Sequence, residues 1–199
     1  MGRSRPQRRV LRLFSGRPGV AVIALLVLAA MGGTALVLLG GRSDDGRSET
    51  RPEAAPSPAG TFFRARALGV AGIRPPKWRL KRSPRAVRLT SIDRAGLVAI
   101  STVPPSVSAR ALMTSTLAAV GRSYRKATLS RRRRADLGGR PGRAVSGSAT
   151  NSRGVRLDLL VSTAKGLRRT YLLQVFVARA AGLRLREAQA LVDSLEISG

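Results

Sequence analysis

The sequence predicts an α+β fold: a small sandwich of antiparallel sheet packed with two helices, carried behind an N-terminal transmembrane helix. Three observations predict it. Residues 20–39 form an apolar run without a single charge. In the C-terminal two thirds, short β-branched or alternating segments succeed one another across turn residues. Two other segments, one before the last four strands and one after them, carry apolar residues at helical spacing instead.

The apolar run has the length a helix needs to cross a hydrocarbon core about 30 Å thick at about 1.5 Å per residue. It is apolar on every face, which a half-buried core helix is not. Arg3, Arg5, Arg8, Arg9, Arg12 and Arg17 precede it with no acidic residue between them. Only Arg42, Arg47 and Arg51 follow closely, interleaved with Asp44, Asp45, Glu49 and Glu53. That imbalance directs the N-terminus to the cytoplasm. A single-pass signal anchor in the cell membrane is therefore expected, with the C-terminal domain extracytoplasmic. Cleavage after the small residues Gly33-Thr34-Ala35 is the alternative. The expected organisation is a basic cytoplasmic tail (residues 1–19), the anchor (20–41), a Pro-rich disordered linker (42–60) and one α+β domain (61–199).

Within the domain, residues 61–69 read as a first strand. Residues 78–80, 86–92 and 97–103 are short strands punctuated by Pro84 and by Arg94-Ala95-Gly96, and Pro104-Pro105 stops the last of them. Ser106 or Ser108 can cap a helix running to Val120, with Gly121 beyond its end. Its Ala109, Leu112, Met113, Thr116, Leu117 and Val120 share one face. Four strands follow, at residues 126–137, 143–150, 155–163 and 170–178. In the third, Val155, Leu157, Leu159 and Val161 alternate with polar neighbours, whereas the fourth is apolar enough for burial on both faces. Gly138-Gly139 and residues 151–154 are turn chemistry of the kind that joins antiparallel hairpins. A closing helix over residues 185–195 places Ala188, Leu191, Val192 and Leu195 together.

This order, with Pro75-Pro76-Lys77-Trp78, Thr170-Tyr171-Leu172-Leu173-Gln174-Val175 and Ala190-Leu191-Val192-Asp193-Ser194-Leu195, resembles the PsbP-like (Mog/PsbP) α/β/α sandwich over residues 78–197. In that family a short Trp-bearing opening precedes the first hairpins, and a Tyr-bearing strand leads into the last helix. The actinobacterial LpqN-type members sit outside the membrane behind an N-terminal anchor. The resemblance implies a binding or assembly role and carries over no catalytic residue. The chain departs from the lipoprotein members in having no cysteine to lipidate and in being strongly basic.

Composition excludes whole classes of chemistry. With no cysteine there is no disulfide, thiol nucleophile or thiolate metal site, and with no histidine the commonest general base and metal ligand are absent. Ser123-Tyr124-Arg125-Lys126 and Ser162-Thr163-Ala164-Lys165 fit an S-x-x-K spacing, but neither serine is expected at a helix start, where that chemistry needs it. The acidic residues Asp93, Asp136, Asp158, Glu187, Asp193 and Glu196 are scattered, which supplies neither a catalytic carboxylate pair nor a hard-metal site, and they are expected to pair with arginines. No catalytic activity, cofactor or metal is expected.

Charge is the remaining signal. From Gly60 onward there are 28 lysines and arginines against six acidic residues, a net +22. Such a domain is drawn to anionic lipids, acidic wall polymers or an acidic protein partner. Two groups are the candidate contact residues. The first is Arg131, Arg132, Arg133 and Arg134 with Arg122, Arg125 and Lys126, guanidinium forks suiting phosphate. On a strand these four arginines cannot all line one surface, and a charged edge strand kept from aggregating is the competing reading. The second is Lys77, Arg79, Lys81, Arg82, Arg85 and Arg88, expected along one sheet face. Specific nucleic-acid readout is not expected, since the few aromatics are needed for the core. A membrane-anchored, non-catalytic binding or assembly module is the leading expectation. The alternatives are a carrier of a small lipid-like ligand in a pocket between sheet and helix, and an envelope hydrolase.

Overall fold

A computed structural model of the protein describes residues 60–198. The predicted tail, anchor and almost all of the linker lie outside the described residues. Among the described residues no helix is long and apolar enough to cross a membrane.

The elements run β1 (Thr61–Ala65), a 3-10 turn (Arg66–Leu68), β2 (Val70–Arg74), β3 (Trp78–Ser83), β4 (Ala86–Ser91), β5 (Gly96–Val103), α1 (Ala109–Ser123) and β6 (Arg125–Leu129). They continue with β7 (Arg133–Leu137), β8 (Arg140–Thr150), β9 (Arg156–Lys165), β10 (Thr170–Ala178), α2 (Gly182–Asp193) and β11 (Glu196–Ile197). An antiparallel sheet of eight strands has the order β3-β4-β5-β10-β9-β8-β6, and β7 also pairs with β8. A smaller sheet, β1-β2-β11, lies apart from it.

Two cores explain the layering. On one face of the large sheet, Val87, Leu89, Val98, Ile100, Tyr171, Leu173 and Val175 pack with Ala188 and Leu191 of α2 and with Phe63, Leu68 and Val70 of the small-sheet region. On the other face, Val145, Leu157, Leu159, Val161, Leu172 and Phe176 pack with Leu112, Met113 and Val120 of α1. β10 lies between the cores, and all nine of its residues are buried. Fully burying a Leu, Val or Phe side chain contributes about 1.5–3 kcal/mol each, so the two faces of this strand organise the fold.

Local signals place several boundaries. Ser108 accepts the Ala111 N–H at 3.1 Å and caps α1. Gly138 and Gly139 both have positive φ in the two-residue β7–β8 turn, a conformation that side chains resist. The structure also corrects the sequence reading. α1 passes through Gly121 to Ser123, because Gly121 does not take the positive φ of a helix stop and an exposed glycine only weakens a helix; extended Tyr124 closes it with its N–H on Val120 O. The strand expected over residues 126–137 is two strands. β6 pairs with the far end of β8 and β7 with its start, with a register shift between Arg125 and Thr128. The first strand likewise ends at Ala65, and β2 and β11 build a sheet that local patterning did not foreshadow.

Candidate functional site

The large sheet carries two unlike charge environments. The first joins α2 to the β3–β5 end. The Trp78 indole N–H donates to Glu187 Oε2 at 2.7 Å, and Arg184 donates to both oxygens of Glu187 at 2.9 and 2.7 Å. Arg184 also reaches Asp93 at 2.7 Å, while Asp93 accepts from the Ser91 hydroxyl at 2.5 Å and the Ala95 N–H at 3.1 Å. Burial alone would push the Asp93 carboxyl up. The Ser91 and Arg184 bonds, the Ala95 N–H and the Arg184 charge outweigh it and hold the carboxyl below its usual range. Ion pairing and hydrogen bonding to Glu187 and Asp93 likewise outweigh burial at Arg184 and raise its pKa. One guanidinium thus serves both carboxylates of this clasp.

The second environment is a cleft of about 720 Å³ where the first turn of α1 passes over β7, β8 and β9. Arg110 of α1, Arg132, Arg134 of β7, Arg143 of β8 and Lys165 of β9 line it, with Met113, Pro141 and Thr163 beneath. Antiparallel register sets Arg134 directly opposite Arg143, a like-charge cross-strand pair that weakens the sheet. Arg132 is held by donating to Thr114 Oγ1 at 2.8 Å. Asp136 is the one acidic residue of the lining, and its Oδ1 accepts the Gly139 N–H at 2.7 Å. The ion pairs found among the described residues join Arg179 to Asp158 and Arg184 to Asp93 and Glu187, all outside this cleft.

Three of the cleft cations fall outside the candidate groups predicted from sequence. Arg110, Arg143 and Lys165 come from separate elements, and the sheet register brings them to Arg132 and Arg134. Arg133 alternates to the opposite face. There it borders a second cavity, of about 410 Å³, beneath α2 with Leu160, Val175, Leu185, Ala188 and Val192. Arg131 is exposed in the link before β7, and Arg122, Arg125 and Lys126 are exposed at the α1–β6 junction. Lys126 has a positive φ there.

The second predicted group does not share one face. Arg79, Lys81 and Arg88 do, since Lys81 pairs with Arg88 and Arg79 with Thr90 across β3 and β4. Arg82 pairs with Val87 and alternates to the side of Trp78 and Leu80. Lys77 lies in the turn before β3 with φ 61°, and Arg85 in the β3–β4 hairpin. Burial lowers the Arg88 pKa from its usual value.

Among the described residues no group of three or more His, Cys, Asp or Glu side chains comes together to hold a metal ion. Neither S-x-x-K pair has a lysine one turn along a helix from its serine. Ser123 ends α1, and Ser162 donates to Arg143 O at 3.1 Å while Lys165 alternates to the opposite face of β9.

No family model and no curated protein matches the chain. Solved structures do. The solution structure of cyanobacterial PsbP (CyanoP) from Synechocystis is 12% identical, with TM-score 0.52, covering 75% of this chain and 98% of that one. LpqN, involved in cell envelope biogenesis of Mycobacterium tuberculosis, is 14% identical with TM-score 0.47, covering 71% and 86%. A protein from Bacteroides thetaiotaomicron is 13% identical with TM-score 0.47; the match covers 70% of this chain and spans about half of that one, 49%. The likeness to CyanoP establishes a PsbP-like fold, as the sequence resemblance implied, and at 12% identity it shows the fold alone.

Proposed function

We propose that this chain is a membrane-anchored, non-catalytic binding module whose extracytoplasmic domain holds phosphate-rich anionic surfaces of the envelope. The observation that carries the reading is the convergence of Arg110, Arg132, Arg134, Arg143 and Lys165 on one open cleft. Folding sets Arg134 against Arg143 at a cost to the sheet, and an anionic ligand repays that repulsion. Guanidinium groups offer forked donors that match phosphate oxygens. The cationic strip of Arg79, Lys81 and Arg88 extends the basic field along the same sheet face. The apolar run at residues 20–39 supports the anchor, and tethering raises the local concentration of a weak electrostatic binder.

The test is titration of the full chain, in zwitterionic nanodiscs, with a soluble poly(glycerol phosphate) at several salt concentrations. Binding that falls steeply with salt, and falls further in Arg134→Glu/Arg143→Glu, supports the reading. Absence of binding at low salt refutes it.

The 410 Å³ cavity beneath α2 favours a second reading, a carrier for a small amphiphile. Its Leu160, Val175, Leu185 and Val192 would take an alkyl chain, and Arg133 an acidic head group. Thermal stabilisation by fatty acids, abolished in Val175→Trp, would support it. A flat response across chain lengths would dismiss it.

A further inference from the structure

We infer that the β9–β10 hairpin tip is a membrane-docking loop that inserts Leu167 between anionic lipid headgroups; this rests on the polyanion reading and names the surface. Leu167 is 81% exposed, the most exposed of the large hydrophobic side chains among the described residues. It stands between Lys165 and the pair Arg168 and Arg169, with Arg66 on the adjoining 3-10 turn. An apolar residue ringed by cations suits the boundary between headgroups and acyl chains, where weak apolar insertion and polybasic attraction act together. A soluble polyanion has no use for the leucine.

The tip is braced rather than loose. The Gly166 N–H donates to Arg169 O at 2.9 Å, and a Cβ at Gly166 would stand 2.8 Å from the Tyr171 ring. On one flank the Arg169 guanidinium donates to Ala67 O, and the buried Tyr171 hydroxyl donates to Leu68 O at 3.1 Å. On the other, the Thr170 hydroxyl donates to Val107 O at 2.8 Å. The loop therefore holds Leu167 outward without paying ordering entropy on docking. Lys165 belongs both to this tip and to the cationic cleft, so one approach to a bilayer engages both.

Chain connectivity agrees. The 3-10 turn bonded to the tip directly follows β1, and β1 begins where the linker ends, about 15 Å away at ~3.3 Å per strand residue. A segment of the length of residues 42–60 could reach that distance several times over at about 3 Å per extended residue. A chain anchored through residues 20–39 can thus bring the tip back to its own membrane.

The chain has no cysteine, so one introduced thiol labels uniquely. Leu167→Cys, carrying a polarity-sensitive fluorophore, would be reconstituted as full chain into phosphatidylcholine vesicles with or without 30% phosphatidylglycerol. Ile92→Cys serves as the control, being exposed at the opposite end of the sheet. The expected result is a blue-shifted emission at position 167 in the anionic vesicles alone, at least halved by Arg168→Glu and reversed by high salt. Position 92 stays water-like throughout. A water-like label at 167 in anionic vesicles, while poly(glycerol phosphate) still binds, overturns this inference and leaves the polyanion reading standing. An equal shift in both vesicle types overturns it as well, because the cations would then play no part. If neither the label responds nor the polymer binds, both readings fall.

Discussion

The clasp at Trp78 and the cleft at Arg134 use the same residue types toward opposite ends. In the clasp, Arg184 sits between Asp93 and Glu187, Trp78 closes the network, and α2 is fastened to the large sheet. In the cleft, five cations meet one carboxylate that is turned onto its own hairpin. Asp93, Asp136, Asp158 and Glu187 are placed where they fasten structure. On the proposed reading the charge of the cleft serves a ligand outside the chain, and the two regions should therefore fail differently when altered.

The largest separation is expected from Trp78→Ala. It empties a side chain that is 3% exposed and leaves Glu187 without its indole donor. A loss of about 3–5 kcal/mol in denaturant unfolding is expected, with polyanion affinity of the folded fraction unchanged. Arg134→Ala/Arg143→Ala should do the reverse. Affinity for anionic surfaces falls on the order of 30-fold, taking about 1 kcal/mol per cation near such a surface. Stability holds or rises by a few tenths of a kcal/mol, since a like-charge cross-strand pair disappears. Isothermal titration and thermal melts on the same samples would show whether the two effects part as described.

How much of this was legible in the sequence follows the same division. β10 was legible to the residue, because burial on both faces leaves a run bounded by Arg169 and Arg179 that is apolar except for Thr170 and Gln174. The helix cap, narrowed to Ser106 or Ser108 and found at Ser108, and the Gly138-Gly139 turn were legible because each rests on local chemistry. β2 was not, since Gly72 interrupts its short apolar stretch and its partner β11 lies over a hundred residues away. The cleft was half legible. The run at Arg131 to Arg134 announced itself, but Arg110, Arg143 and Lys165 join it only through sheet register and the path of α1. No short-range spacing encodes either. The break between β6 and β7 is what lets Arg132 leave the sheet edge and reach Thr114.

Acid should undo the clasp. The Asp93 carboxyl is held below its usual range in the folded state, so its contribution is fully present above the unfolded value near pH 4. It is lost as pH falls through the lower folded value. Urea midpoints measured between pH 6 and pH 2.5 should decline less steeply for Asp93→Asn than for the parent. The smallest effect is expected at Lys77, whose φ of 61° places a lysine in left-handed backbone between Pro76 and Trp78. Lys77→Gly relieves roughly 1 kcal/mol of local strain, visible as a small rise in melting temperature. A fall instead would mean that the lysine side chain holds the turn.

The most direct measurement of the central claim compares the salt dependence of poly(glycerol phosphate) binding for the parent, Arg134→Glu/Arg143→Glu and Arg186→Glu. Arg186 is exposed on α2, away from the cleft, and controls for net charge. The cleft reading predicts that the double variant loses most of the affinity and most of the salt slope, while Arg186→Glu changes both only slightly. Losses proportional to net charge alone, with per-charge effects equal at the two places, would contradict it.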